Sequence, residues 1–351
     1  MSYLKTVIIA IIGGIIMTII HAPLPWTLGP IAAVSIAGMI QKHPLHWSLK
    51  IRNVALILLG YAMGRPFTAE TLQAIFSQLP LMLAATVITV SAGIFTGWLM
   101  YRKTGINFTS CLLGCVPGGL SQMVILAAEI KDVDLTAVTI MQTMRMLSVV
   151  FTIPFLTIHV LSNSAAGSSD AAGAAMMAAV SIDQIIIFAA VAITGAIVGR
   201  FIHLPTATLL GPILTTAAYI ILSGSQAPEV PIHILNIAQL CVGSYIGSSI
   251  DLQKITSYHG MGPILFSGIL LVLLVSMGTG TALALLTGES FATTFLSTAP
   301  GGLTEMGITA LVVGANISTM TAYQLVRLLF IMLVFPYIAK GIVSIYRRQQ
   351  P

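Results

Sequence analysis

Two matched pairs of polar residues stand deep inside apolar runs of this chain. Gln142 and Arg145 lie in "MQTMRML" (141–147), and Gln324 and Arg327 lie in "YQLVRLL" (323–329). A spacing of three puts each Gln on the helical face of its Arg. There the amide can orient the guanidinium by a hydrogen bond. A guanidinium held away from water can do one of two things. It can clamp an anion, because Arg grips carboxylates bidentately, or it can satisfy backbone carbonyls exposed nearby. The residues alone leave both readings open.

Exposed carbonyls are expected, because the backbone breaks twice. "CVPGGLSQM" covers residues 115–123 and "TAPGGLTEM" covers 298–306. In each break Pro removes a donor and the glycines permit unusual dihedrals. Ser121 and Thr304 are placed to cap the helix that restarts. The N-terminus of that helix presents free N–H groups and a positive dipole end, which suits an anion. Lipid supplies no hydrogen bonds, so a broken helix persists in a membrane only where it lines a cavity or is buried in protein. Each break carries one polar residue five positions after its Pro, Gln122 and Glu305. Glu305 is the only carboxylate well inside an apolar element. Its two readings are a proton or cation coupling group and a structural partner for Arg327.

The candidate substrate-binding set is therefore Pro117, Gly118, Gly119, Ser121, Gln122, Gln142 and Arg145 from one half. From the other it is Pro300, Gly301, Gly302, Thr304, Glu305, Gln324 and Arg327. No catalytic residue, metal ligand or cofactor is expected. The seven histidines are scattered, and Cys111, Cys115 and Cys241 sit in apolar segments without a CxxC pattern. Activity as an enzyme is not expected.

The elements that must position these residues are apolar. The chain has 351 residues, 57% of them hydrophobic and 7% charged, against roughly 25% charged in a soluble domain. Mean hydropathy is +0.99. This composition predicts an all-α, multi-pass membrane protein. The net charge of +5 reads as membrane orientation rather than a nucleic-acid surface, since no compact basic segment exists.

The chain also reads as a duplication. His21, Pro23, Gly29 and Pro30 match His203, Pro205, Gly211 and Pro212 at an offset of 182. Gly60 and Gly64 match Gly243 and Gly247, Pro117 matches Pro300, Arg145 matches Arg327 and Pro154 matches Pro336, all at 182 or 183. The domains expected are a membrane repeat at 1–160, an Ala/Gly/Ser-rich linker at 161–182 and a second repeat at 183–351. Each repeat has six apolar elements, near 3–20, 24–40, 50–64, 80–101, 106–130 and 135–160, then 184–202, 206–223, 233–250, 261–287, 290–313 and 317–345. A span needs about 20 residues, so neither piece of a broken fifth element can cross alone. Gly60/Gly64 and Gly243/Gly247 read as small-residue packing faces. Pro154 and Pro336 read as kinks.

Two topologies compete. If each PGG element crosses, the repeats are parallel, six spans each, and nine Lys/Arg face inside against four outside. If each re-enters, the repeats are inverted with five spans each. Lys131, Arg200 and Lys254 then move inside and the count becomes twelve to one. The positive-inside rule favours inverted repeats, with both termini cytoplasmic.

With PGG in both halves, "MQTMRML", "YQLVRLL" and "LGP" near the second span of each half, the chain resembles the AbrB family of bacterial inner-membrane proteins. These share a name, but no sequence, with the small soluble AbrB transition-state regulators. The resemblance covers nearly the whole chain. It carries over Pro117, Gly118 and Gly119 with Gln142 and Arg145, and Pro300, Gly301 and Gly302 with Gln324 and Arg327. It does not carry over Glu305, which varies among members. It implies the bacterial inner membrane. It does not imply a defined chemistry, because members carry names as regulators or as ammonia monooxygenases.

The function expected is secondary transport of a small anionic solute, bound between the two breaks with alternating access. The partners are the lipid bilayer, the solute and, as an option, a coupling proton or Na+. A homo-oligomer is an open possibility, and no nucleic acid is expected. The alternative is a membrane-embedded regulator or sensor affecting gene expression indirectly. A monooxygenase would need clustered metal ligands, which the scattered histidines do not offer.

Overall fold

The structure, a computed structural model, describes residues 2–22, 24–41, 45–118, 123, 126–127, 130, 133–157, 182–204, 206–250 and 262–348. Fifteen helices occur among them, and no strand. In chain order they are α1 (Ser2–Ile19), α2 (Pro25–Gln41), α3 (Leu49–Gly64), α4 (Ala69–Ser77), α5 (Leu79–Thr104), α6 (Phe108–Cys115), α7 (Leu135–Leu156) and α8 (Ile182–Phe201), then α9 (Ala207–Ser223), α10 (Ile232–Ser249), α11 (Gly262–Thr287), α12 (Phe291–Thr298), α13 (Leu303–Val313), α14 (Ile317–Leu333) and α15 (Phe335–Arg348).

The apolar runs thus become helices with ends close to those expected. Among the described residues four helices, α5, α7, α8 and α11, are long and apolar enough to cross a membrane. α14 and α15 together form a fifth candidate, bent by 46°. Pro336, at the second position of α15, accounts for that bend, since its ring cannot donate into the preceding turn. Pro154 lies inside α7, two residues from its end. α4 was not anticipated. It is a nine-residue helix without a buried residue, short enough to read as loop in the sequence. The linker, all but its last residue, lies outside the described residues.

The chain forms two compact units. The first takes Met1–Phe76, Pro154–Leu252 and Gly307–Ser318, and the second takes Ser77–Ile153, Gln253–Met306 and Thr319–Pro351. Each unit therefore draws on both halves of the sequence.

Glycine faces organise the first unit. A Cβ at Gly60 in α3 would sit 2.6 Å from the Leu209 carbonyl in α9, and one at Gly243 in α10 would sit 2.5 Å from the Thr27 carbonyl in α2. Gly64 and Gly247 face Ile213 and Ile31 in the same way, at 2.8 and 2.9 Å. α3 and α10 thus each lie backbone to backbone on a helix of the other half. Close approach of this kind replaces hydrophobic driving force where the solvent is itself apolar. Polar bonds tie the second of these pairs, α2 and α10: Thr27 Oγ1 donates to Gln239 Oε1 at 3.3 Å, and Ser35 Oγ donates to the Gly247 carbonyl at 3.2 Å. His21 and Leu24 turn the chain from α1 into α2 in the left-handed region, with φ of 55° and 47°. His203 and Thr206 do so between α8 and α9, with φ of 56° and 47°.

In the second unit an apolar core joins the halves. Leu112, Leu113 and Val116 from α6 and its end pack with Val138 of α7, Ile331 of α14, and Phe335, Ala339 and Val343 of α15. Tyr346 Oη donates to Tyr101 Oη at 2.6 Å, closing α15 onto α5.

Candidate functional site

Each break is built on a short, capped helix. Asn107 accepts from the Ser110 N–H at 2.7 Å to start α6, and Ser290 accepts from the Thr293 N–H at 3.2 Å to start α12. Both helices stop at Pro117 and Pro300. There the Gly118 N–H bonds the Val116 carbonyl, and the Gly301 N–H bonds the Ala299 carbonyl, both at 2.8 Å. This is the i to i+2 closure of a γ-turn centred on Pro.

α7 runs beside α6 in the same direction. The Asp134 N–H bonds Ser110 Oγ at 2.8 Å, at the start of both helices. Further in, Gln142 Nε2 donates to the Leu113 and Val116 carbonyls at 2.8 and 2.9 Å. α14 accompanies α12 likewise. Thr319 Oγ1 donates to Glu289 Oε1 at 3.0 Å, and Gln324 Nε2 donates to the Leu296 and Ala299 carbonyls at 2.7 and 3.2 Å. The chain that leaves through α6 is thus back at its starting level by Asp134, and the chain that leaves through α12 is back by Thr319.

The arginines complete the frame. Arg145 Nη2 donates to the Gly118 carbonyl at 2.8 Å and to Gln142 Oε1 at 2.6 Å. Arg327 Nη2 donates to the Gly301 carbonyl at 2.8 Å and to Gln324 Oε1, while Nη1 reaches the Thr298 and Ala299 carbonyls. Satisfying freed carbonyls is therefore one role both arginines perform. They differ in a further respect. Arg145 Nη1 crosses to the Pro300 carbonyl of the other break at 3.2 Å, whereas every carbonyl that Arg327 meets belongs to its own half. Arg145 uses three of five N–H donors in these bonds, and its buried Nε has no partner. A void of about 20 Å³ behind it, lined by Thr96, Cys115, Met141 and Leu265, is the size of one water.

A cavity of about 120 Å³ opens between the two breaks, inside the second unit. The first half supplies Pro117, Gly118, Gln142, Arg145 and Met146. The second supplies Pro300, Gly301, Gly302, Leu303 and Glu305, with Gln324, Arg327, Leu328 and Ile331. Among the described residues, two guanidinium groups and one carboxylate thus line it, for a formal charge of +1. Glu305 is 8% exposed, and its carboxylate folds back over Gly302, where a Cβ would collide with Oε2. That is the place an acid at the third helical position takes in a capping box.

The structure brings ten of the expected residues onto this one cavity. Gly119, Ser121 and Gln122 lie outside the described residues. Thr304 corrects the reading that it caps the restarted helix. α13 begins at Leu303, so Gly302 occupies the capping place and Thr304 falls within the first turn. The residues not anticipated are the caps Asn107 and Ser290, the apolar wall of Met146, Leu303, Leu328 and Ile331, and the Glu289–Thr319 pair. An Asn or Ser just ahead of a short apolar run is a recognisable helix start. The wall carries no signal, because its residues look like any other apolar position.

Residues 26–342 match the family described as "Transition state regulatory protein AbrB". The chain is 27% identical to "Putative regulator AbrB" of Escherichia coli (strain K12) over 327 residues, covering 92% of this chain and 91% of the relative. It is 25% identical to "Uncharacterized protein YhjN" of Bacillus subtilis (strain 168) over 354 residues, covering 92% of this chain and 88% of the relative. The chain belongs to the AbrB family, and its long apolar helices make it a membrane-type member.

Proposed function

We propose that this protein is a secondary transporter of a small anionic solute, bound in the cavity between the two breaks and exposed to the two membrane faces in turn. The observation that carries this reading is the cavity itself. It is enclosed by two broken helices from corresponding places in the sequence, and two buried guanidinium groups outnumber its single carboxylate. Paired discontinuous helices are the usual architecture of a transporter's substrate site. A buried cation left in excess is costly unless a ligand or ion neutralises it.

In this reading the two halves are inverted repeats in the bacterial inner membrane. Each PGG element enters and returns on one side, in keeping with Asp134 beside Ser110 and Thr319 beside Glu289. Each half then crosses five times, with α1, α2, α3, α5 and α7 in one and α8, α9, α10, α11 and α14 with α15 in the other. Both termini lie in the cytoplasm. The protein is not an enzyme in this account, and Glu305 is where a proton or Na+ would couple.

A membrane-embedded regulator is the second reading, favoured by the names of the family and of the E. coli relative. Transport of a signalling solute would give such an effect indirectly. Uptake of radiolabelled small carboxylates into proteoliposomes separates the two. Wild type is expected to accumulate label, and Arg145→Gln and Arg327→Gln variants that fold are expected to lose most of it. Folded variants that transport at the wild-type rate would remove the anion clamp.

A further inference from the structure

Charge and volume in the cavity narrow the solute further. Among the described residues, and with no coupling ion on Glu305, the charged groups on its wall are Arg145, Arg327 and Glu305, a sum of +1. One negative charge neutralises that sum. Two would leave a net buried negative charge, which costs as much as the original excess. The volume is about 120 Å³. That is about six times the void of about 20 Å³ that matches one water, so the cavity takes a molecule of roughly six water-sized groups. The guanidinium groups and the first turn of α13 supply polar atoms to the wall. Met146, Leu303, Leu328 and Ile331 form an apolar remainder. Arg145 still holds unused donors, including the buried Nε.

Resting on the anion-transport reading, we infer that the site takes a short-chain monocarboxylate, and that Glu305 sets this choice by cancelling one of the two arginine charges. The carboxylate head meets Arg145 and the N-terminal turn of α13, and the short tail meets the apolar wall. Glu305 acts on charge selection rather than by direct contact. Its counterpart in the other half is the neutral Gln122, so the second half alone carries the selector.

Pyruvate and oxalate test this, because they differ only by a methyl group replaced with a charged oxygen. Binding of each is measured on the full chain in lipid nanodiscs, for wild type and Glu305→Gln. Wild type is expected to bind pyruvate more than about tenfold tighter than oxalate. Glu305→Gln, with a wall charge of +2, is expected to reverse or abolish that preference. Wild type that binds oxalate as well as pyruvate overturns the inference while leaving anion transport standing, and needs no variant. A folded Glu305→Gln that keeps the wild-type ratio overturns the assignment to Glu305. Wild type that binds neither these anions nor any other small carboxylate overturns the anion reading and the inference with it.

Discussion

The Gln/Arg pairs do structural and chemical work with the same atoms. Gln142 spends its amide hydrogens on the Leu113 carbonyl, whose helical donor would be Pro117, and on the Val116 carbonyl, which also accepts from the Gly118 N–H, and its oxygen on Arg145. Gln324 does the same for α12 and Arg327. A buried carbonyl stripped of its partner costs about 1–3 kcal/mol. Gln142→Leu and Gln324→Leu each strip one carbonyl, Leu113 or Leu296, of its partner and are each expected to lose about 1–3 kcal/mol of stability, read as a lower melting temperature in detergent. Equal melting temperatures for wild type and both variants would remove this role. These residues were legible in the sequence because a polar group in an apolar run is expensive and so conspicuous. Direction was not legible. That Arg145 reaches across to Pro300 while Arg327 stays with its own half depends on the relative placement of the two breaks. Thr304 was misread as a cap because Gly302, which has no side chain to offer, holds the capping place.

At the scale of elements, helix ends followed from the lengths of apolar runs and from Pro and Gly at their limits. Partners did not. Gly60/Gly64 and Gly243/Gly247 marked faces able to approach another backbone, but the sequence does not say which one. The structure pairs α3 with α9 and α10 with α2. Gly60→Leu and Gly243→Leu must each push a carbonyl contact of about 2.5 Å apart. Overpacking of this kind costs about 1–3 kcal/mol. Both variants are expected to melt earlier than wild type, by similar amounts, while Gly38→Leu, with open space around its Cβ position, melts as wild type does. A harmless Gly60→Leu would contradict the backbone contact.

For the whole molecule, halves and compact units are different divisions of the same chain. The duplication expected from the sequence divides it near residue 170, whereas packing sorts the early helices of both halves into one unit and most of the late ones into the other. Only long-range packing reveals the second division, because nothing local to α1 or α8 specifies that both belong with α9 and α10. The cavity lies within one unit and takes its walls from both halves. Its value for transport rests on one further claim, that the two breaks are entered from opposite sides of the membrane. A reporter fused within residues 165–178, between the halves, tests this most directly, in parallel with one fused after Arg348. The account predicts a periplasmic signal from the first and a cytoplasmic signal from the second. A cytoplasmic signal from the 165–178 fusion would make the halves parallel and would contradict the inverted breaks on which the transport reading depends.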